Sequence, residues 1–154
     1  MSTVAVKGLV AAPAADLWCL LTSLPRSFHI EEPVEVLTPG PFGPGTAWRE
    51  TRTGPDGSKL IEEFVVLVAE PPRRLVLGSP GAGADYRITW TLREVRRRRR
   101  RFAAVRVTVR ALPAAPAGRA AALLLGGLAV RTAEQVLRRD IAALAAAADR
   151  RRAA

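Results

Sequence analysis

Two carboxylates and one guanidinium, those of Glu50, Glu63 and Arg52, are the side chains of this sequence best suited to acid–base chemistry. They flank a Gly-Pro-Asp-Gly segment at residues 54–57, whose composition is typical of a tight turn. A carboxylate on a mostly apolar face has a raised pKa, which suits a general acid or base. We therefore predict Glu50, Glu63 and Arg52 as catalytic residues.

The strands on either side of this turn decide which side chains share a face. We predict strands over Thr46–Arg52 and Lys59–Ala69. A turn symmetric about residues 55 and 56 places Trp48 opposite Glu63. Successive side chains of a strand point to opposite faces, so the inward face collects Trp48, Glu50, Arg52, Ile61, Glu63, Val65, Leu67 and Ala69. The alternative is that the charged members lie in water near the hairpin tip and do no chemistry.

Most of the positive charge is local. The chain has 154 residues and a net charge of +10, and nine of its 24 Lys and Arg residues lie in two runs, Arg96–Arg101 and Arg150–Arg152. Without these nine, 15 basic residues remain against 14 acidic ones. We expect the first run to be a solvated loop between two strands. No aromatic residues are interleaved with it, so we expect no nucleic-acid partner, and an anionic partner binding through this loop is the alternative.

A single cysteine and a single histidine limit the chemistry further. They exclude an internal disulfide and any metal cluster built from these residues, and we expect no metal and no cofactor. Cys19 is expected to be a small buried residue of the first helix. The longest apolar run, Ala120–Val130, is too short to span a bilayer. With no signal peptide visible, we expect a single cytoplasmic domain over residues 1–154.

Alternation of apolar and polar residues predicts strands at Thr3–Val10, Tyr86–Leu92 and Val105–Val109. Two short helices are predicted between the first two strands, one opened by Pro13 and one over Arg26–Glu32. A long helix is predicted over Gly118–Arg152. Small or apolar residues recur along it every three or four positions, at Leu123, Gly126, Val130, Ala133, Leu137, Ile141, Leu144 and Ala148. Gly126 and Ala133 leave gaps on this face, which allow either close packing of a sheet or room for a guest molecule.

Three short motifs occur within this predicted order of strands and helices. They are Val10-Ala-Ala-Pro-Ala-Ala-Asp-Leu-Trp18, Gly43-Pro-Gly-Thr-Ala-Trp48 and Glu70-Pro-Pro-Arg-Arg-Leu75. Together with the closing helix they resemble the START/Bet v 1-like (SRPBCC) superfamily, nearest its polyketide cyclase/dehydrase-type branch. The resemblance implies an α+β helix-grip fold, with a curved antiparallel β-sheet wrapped around a long C-terminal helix and two short helices after the first strand. It also implies an apolar cavity between sheet and helix.

Proteins of this kind bind lipids, sterols, polyketides or other hydrophobic molecules, and some cyclise or dehydrate them. The resemblance therefore implies a hydrophobic small-molecule ligand, polyketide- or lipid-like. A cyclase, aromatase or dehydratase and a non-catalytic carrier both remain open. The residues expected to contact the ligand are His29 at the cavity mouth, Trp48, Val65, Leu67, Tyr86, Trp90, Gly126, Val130 and Ala133.

Overall fold

The structure, a computed structural model, describes residues 3–24, 33–53, 57–80, 84–113 and 128–154. Within these ranges the chain forms seven strands and two helices. The strands are β1 Thr3–Val10, β2 Glu35–Val36, β3 Ala47–Thr53, β4 Lys59–Glu70, β5 Arg74–Pro80, β6 Ala84–Arg97 and β7 Arg100–Pro113. The helices are α1 Ala14–Leu21 and α2 Leu128–Ala153.

All seven described strands belong to one curved antiparallel sheet, in the order β1-β7-β6-β5-β4-β3-β2. From β2 onward, neighbours in the chain are neighbours in the sheet. β1 pairs instead with β7, so the chain crosses from one edge of the sheet to the other after β1. α1 begins this crossing, and the Ala14 amide donates a 3.0 Å hydrogen bond to Oε1 of Glu94 on β6. The first helix is thus attached to β6, an interior strand of the sheet.

α2 packs on the inner face of the sheet through residues spaced four, three and four apart, which is the period of one helix face. These residues, Leu137, Ile141, Leu144 and Ala148, belong to the hydrophobic core. β1 approaches this helix closely at Gly8, where an added Cβ would lie 2.9 Å from Cγ2 of Ile141. A residue without a side chain therefore allows the contact between the edge strand and the helix.

The predicted α+β architecture of curved sheet and long C-terminal helix is confirmed, and β1 has the predicted bounds. One of the two predicted short helices is present as α1. The other, predicted over residues 26–32, lies outside the described residues, as do the predicted first ten residues of the long helix. No helix in the described part of the chain is long and apolar enough to cross a membrane.

The prediction that Arg96–Arg101 forms a loop was wrong. β6 and β7 continue through the run, with Arg96 opposite Arg101 and Arg97 opposite Arg100. The turn consists of Arg98 and Arg99, whose φ angles are 49° and 67°. A two-residue turn with positive φ at both positions matches the twist of paired strands. The pairing of β6 with β7 can therefore continue up to these two residues.

Cys19 was also predicted wrongly, since it is exposed. Leu17 is fully buried on the same helix. At roughly 3.6 residues per turn, the side chain of Cys19 points about 200° away from that of Leu17 around the helix axis. The short apolar run of α1 therefore has an outer face, and Cys19 lies on it.

Candidate functional site

A cavity of about 620 Å³ lies between the inner face of the sheet, α1 and α2. Its wall is mostly apolar and contains Leu20, Leu21, Leu24, Trp48, Leu60, Ile61, Phe64, Leu75, Leu77, Pro80, Ile88, Trp90, Val109, Val136 and Leu137. Polar side chains on the wall are Ser23, Glu50, Arg52, Glu62, Ser79, Tyr86 and Asp140. A few polar groups in a largely apolar cavity of this size are typical of a small-molecule site.

Aromatic rings form part of the wall contributed by β3, β4 and β6. Trp48 stacks on Phe64 with ring centroids 5.6 Å apart and an interplanar angle of 27°. Trp90 and Tyr86, two strands away, line the same cavity. The predicted inward orientation of Trp48 and Trp90 is confirmed, as is the shared face of Tyr86 and Trp90. Their contact with a ligand stays a prediction.

A polar network occupies the wall beside these rings. Nε1 of Trp48 donates a 2.9 Å hydrogen bond to Oε1 of Glu50. Nη2 of Arg52 lies 3.5 Å from Oε2 of Glu50 and 3.8 Å from Oδ2 of Asp140. Nε of Arg52 lies 4.0 Å from Oε2 of Glu62. One guanidinium therefore lies among carboxylates from β3, β4 and α2.

The sequence builds this network through the period of a strand. Trp48, Glu50 and Arg52 alternate along β3, so their side chains point to the same face. Glu50 is only 3% exposed. A buried carboxylate held by an N–H donor and a guanidinium has a fixed orientation, which suits it to hydrogen-bond a ligand or to exchange a proton with it.

The predicted register of the β3–β4 hairpin was wrong by one residue. Glu50 lies opposite Glu62, and Trp48 lies opposite Phe64. Thr53 pairs with Lys59, which centres the hairpin on position 56 instead of between positions 55 and 56. Because side chains alternate with a period of two, a slip of one residue moves every side chain of the partner strand to the other face.

Glu63 and Val65 therefore lie on the outer face of the sheet and not toward the cavity. Leu67 lies at an irregularity of the β4–β5 pairing, between Val66 and Val68, and it too is on the outer face. An added Cβ on Gly78 of β5 would lie 3.4 Å from Cγ1 of Val65 and 3.3 Å from Cδ1 of Leu67, which places both beside the outer surface of β5. Leu67 is 42% exposed. These three residues are withdrawn from the predicted site.

Glu63 has a different partner on that outer face. Its Oε1 accepts hydrogen bonds from Arg49, at 2.6 Å from Nη2 and 3.1 Å from Nε. Arg49 also donates to Glu35 at 3.2 Å. The hydrogen bond and the charge of Glu63 raise the pKa of the Arg49 guanidinium. Glu63 is thus one member of an exposed ion pair.

Sequence reasoning missed two acidic residues of the site, Glu62 and Asp140. The observed register places Glu62 opposite Glu50, so its side chain lies on the cavity face. Asp140 lies between two core residues of α2, Leu137 and Ile141, and its position beside the apolar face was the available signal.

The remaining predicted ligand contacts are His29, Gly126, Val130 and Ala133. His29 and Gly126 lie outside the described residues, and Val130 lies near the start of α2. Ala133 is partly buried against the hydrophobic core.

A curved antiparallel sheet that holds a long C-terminal helix, with a cavity between them, is a Bet v 1-like, or SRPBCC-like, helix-grip fold. Comparison of the chain with protein-family models and with curated proteins gives no match. Solved structures are nevertheless similar over nearly the whole chain.

Protein CV1439 from Chromobacterium violaceum superposes with a TM-score of 0.67 at 16% identity, covering 96% of this chain and 98% of that one. The Aha1 dimer from Colwellia psychrerythraea gives 0.64 at 13% identity, covering 96% of each chain. DynU16, a protein of the dynemicin biosynthetic locus, gives 0.61 at 21% identity, covering 94% of this chain and 46% of that one. At these identities the likeness is evidence for the fold alone.

Proposed function

We propose that residues 1–154 form a single ligand-binding domain that holds a hydrophobic small molecule, polyketide- or lipid-like, between the sheet and α2. The observation that carries the proposal is the cavity of about 620 Å³ with a mostly apolar wall. Protein interiors are otherwise closely packed. The volume lies in the range of about 300–1,000 Å³ that is typical of small-molecule sites.

The arrangement of the wall indicates the shape of the ligand. The indole rings of Trp48 and Trp90 offer flat apolar surfaces, and such surfaces favour a ligand with planar or conjugated parts. Glu50 and Arg52 offer a hydrogen-bond acceptor and a donor at one region of this wall. A largely apolar molecule with a few oxygen atoms satisfies both parts of the site.

A cavity-filling substitution tests the binding function. Val136→Trp places an indole on the part of the wall formed by α2. We expect uptake of Nile red, a neutral apolar fluorophore, to fall at least tenfold while the melting temperature is retained. Gln135→Trp is the matched control, because Gln135 is the exposed neighbour on the same helix. Uptake that is equal in Val136→Trp and wild type, or absent in wild type, would refute the proposal.

A second candidate function is a cyclase or dehydratase reaction on a polyketide-like substrate in the same cavity. The observation that favours it is Glu50, a buried carboxylate oriented by Trp48 and Arg52. In this hypothesis Glu50 removes a proton from a methylene between two carbonyl groups, and the resulting enolate attacks a further carbonyl carbon of the same chain. Arg52 stabilises the negative charge that develops on the carbonyl oxygen, which then takes up the proton.

Glu50→Gln separates catalysis from binding. Glutamine keeps a side-chain oxygen as acceptor for the Trp48 N–H but has no basic carboxylate. For an enzyme, we expect product formation from a poly-β-keto substrate to be lost while affinity changes only a few-fold. Glu63→Gln is the control, since Glu63 lies on the outer face. Full turnover in Glu50→Gln would reject the catalytic role, and binding without turnover in wild type would favour a carrier.

A further inference from the structure

The outer face of the sheet collects cations that are distant in sequence. Lys7 on β1 lies directly opposite Arg106 on β7, and Arg87 on β6 lies directly opposite Arg110 on β7. Arg93 occupies the same face of β6. The hairpin that joins β6 and β7 adds Arg97 and Arg100, which are also opposite one another. We call these seven residues, Lys7, Arg87, Arg93, Arg97, Arg100, Arg106 and Arg110, the basic face.

The pairing within this face is unfavourable for the isolated protein. Side chains directly opposite one another on neighbouring strands lie about 4.5–5.5 Å apart at Cβ, and like charges there are destabilising. Two such pairs of the basic face carry this argument, Lys7 opposite Arg106 and Arg97 opposite Arg100, and Arg96 opposite Arg101 is a third at the same hairpin. Arg110 has an interaction partner within the protein. Within the described strands β1, β6 and β7, this face has one acidic residue, Asp85. An anionic surface would relieve this repulsion.

The shape and composition of the face favour one kind of anionic surface. The sheet curves around α2, so its outer face is convex and offers no groove to enclose a nucleic-acid strand. Its aromatic residue, Phe102, is half-buried opposite Val95, which leaves no exposed ring for base stacking. Leu9 is 47% exposed beside the cations, opposite Ala104. Cations around an exposed apolar side chain suit a layer of anionic lipid headgroups.

We propose that the basic face binds the surface of an anionic lipid bilayer. The cations contact the headgroups together, and Leu9 contacts the boundary between headgroups and acyl chains. The proposal does not depend on what the cavity binds, because it rests on residues of the opposite side of the sheet.

Vesicle binding tests the proposal. We expect the protein to cosediment with vesicles of phosphatidylcholine containing one-third phosphatidylserine, and not with vesicles of phosphatidylcholine alone. Raising the salt concentration from about 0.1 M to about 1 M shortens the Debye length from about 10 Å to about 3 Å. Binding should therefore fall at least tenfold over this range.

A charge-matched pair of variants locates the binding surface. Lys7→Gln/Arg106→Gln removes one like-charge pair from the basic face, and we expect it to weaken vesicle binding at least fivefold without lowering the melting temperature. Arg138→Gln/Arg139→Gln removes the same charge from exposed positions of α2 and should leave binding unchanged. Equal losses in the two variants, equal binding to neutral vesicles, or no vesicle binding would overturn the proposal. Tighter binding to a mixed-sequence DNA duplex than to the anionic vesicles would overturn it in favour of a nucleic-acid partner.

Discussion

The indole of Trp48 donates its N–H to the carboxylate of Glu50, two residues further along the same strand, at 2.9 Å. Both side chains point to the cavity, and both are buried. A neutral donor thus fixes one oxygen of Glu50, while the other oxygen lies near the Arg52 guanidinium. The carboxylate is oriented before any ligand enters, and this preorganisation suits a site that recognises or reacts with a polar atom of its ligand.

Trp48→Phe keeps a ring beside Phe64 but removes the N–H that Glu50 accepts. A buried acceptor that loses its donor costs about 1–3 kcal/mol. We expect the free energy of unfolding, measured by urea denaturation, to fall by that amount.

A double-mutant cycle with Glu50→Leu separates the hydrogen bond from the lost ring volume. If the bond contributes, the two substitutions are less destabilising together than the sum of the single effects, with a coupling energy of at least about 0.5 kcal/mol. Strict additivity would show that the Trp48–Glu50 bond does not stabilise the fold.

Gly8→Ala should destabilise the protein because its Cβ would lie 2.9 Å from Cγ2 of Ile141. That atom is attached to the branched Cβ of Ile141, so it cannot move without shifting the side chain or the helix. Overpacking of this kind costs about 1–3 kcal/mol. Gly43→Ala is the control, since nothing lies within 4 Å of a Cβ added there. Equal unfolding free energies for the two variants would contradict the close contact of β1 with α2.

Arg98→Asn/Arg99→Gly should stabilise the β6–β7 hairpin. Both turn residues have positive φ, which costs an ordinary residue roughly 1–2 kcal/mol, and Asn-Gly is the preferred sequence for such a turn. We expect the melting temperature to rise. Arg98→Ala/Arg99→Ala removes the same two charges but does not suit positive φ. If both variants are stabilised equally, repulsion between arginines and not backbone strain limits this hairpin.

An engineered disulfide tests the hairpin register. In a Cys19→Ser background, Arg49→Cys/Glu63→Cys places two cysteines directly opposite one another on the outer face, at a separation that a disulfide can bridge. We expect rapid oxidation, detected by mass spectrometry. Arg49→Cys/Glu62→Cys puts the thiols on opposite faces of the sheet and should stay reduced under the same conditions. Preferential oxidation of the second pair would show instead that the register is displaced by one residue, with Arg49 opposite Glu62.

The helix and strand patterns could be predicted because they are local. Alternation over Thr3–Val10 predicted β1 with its observed bounds, and Tyr86 and Trp90 were placed on the correct face. The spacing of Leu137, Ile141 and Leu144 predicted the core face of α2. In each case the residues that form the pattern are within one or two turns or pleats of each other, so backbone geometry alone relates them.

The register of the β3–β4 hairpin could not be fixed in the same way. The composition of residues 54–57 indicated a turn, but not whether the hairpin is centred on a residue or between two. That half-residue difference moved Glu63 to the outer face and brought Glu62 into the cavity. Which side chains of one strand share a face follows from local backbone geometry. Which side chains of two paired strands share a face depends on the conformation of the turn between them.

By itself, the sequence determined the order of elements, the alternation along each strand and the total charge, because these depend on neighbouring residues or on composition. Only the tertiary structure decided which distant residues meet. Asp140 of α2 reaches Arg52 of β3 because the sheet curves around the helix. Lys7 lies beside Arg106 because β1 pairs with β7 across nearly the whole chain. Outside the two arginine runs the sequence has nearly balanced charge, and strand pairing gathers cations on the outer face of β1, β6 and β7.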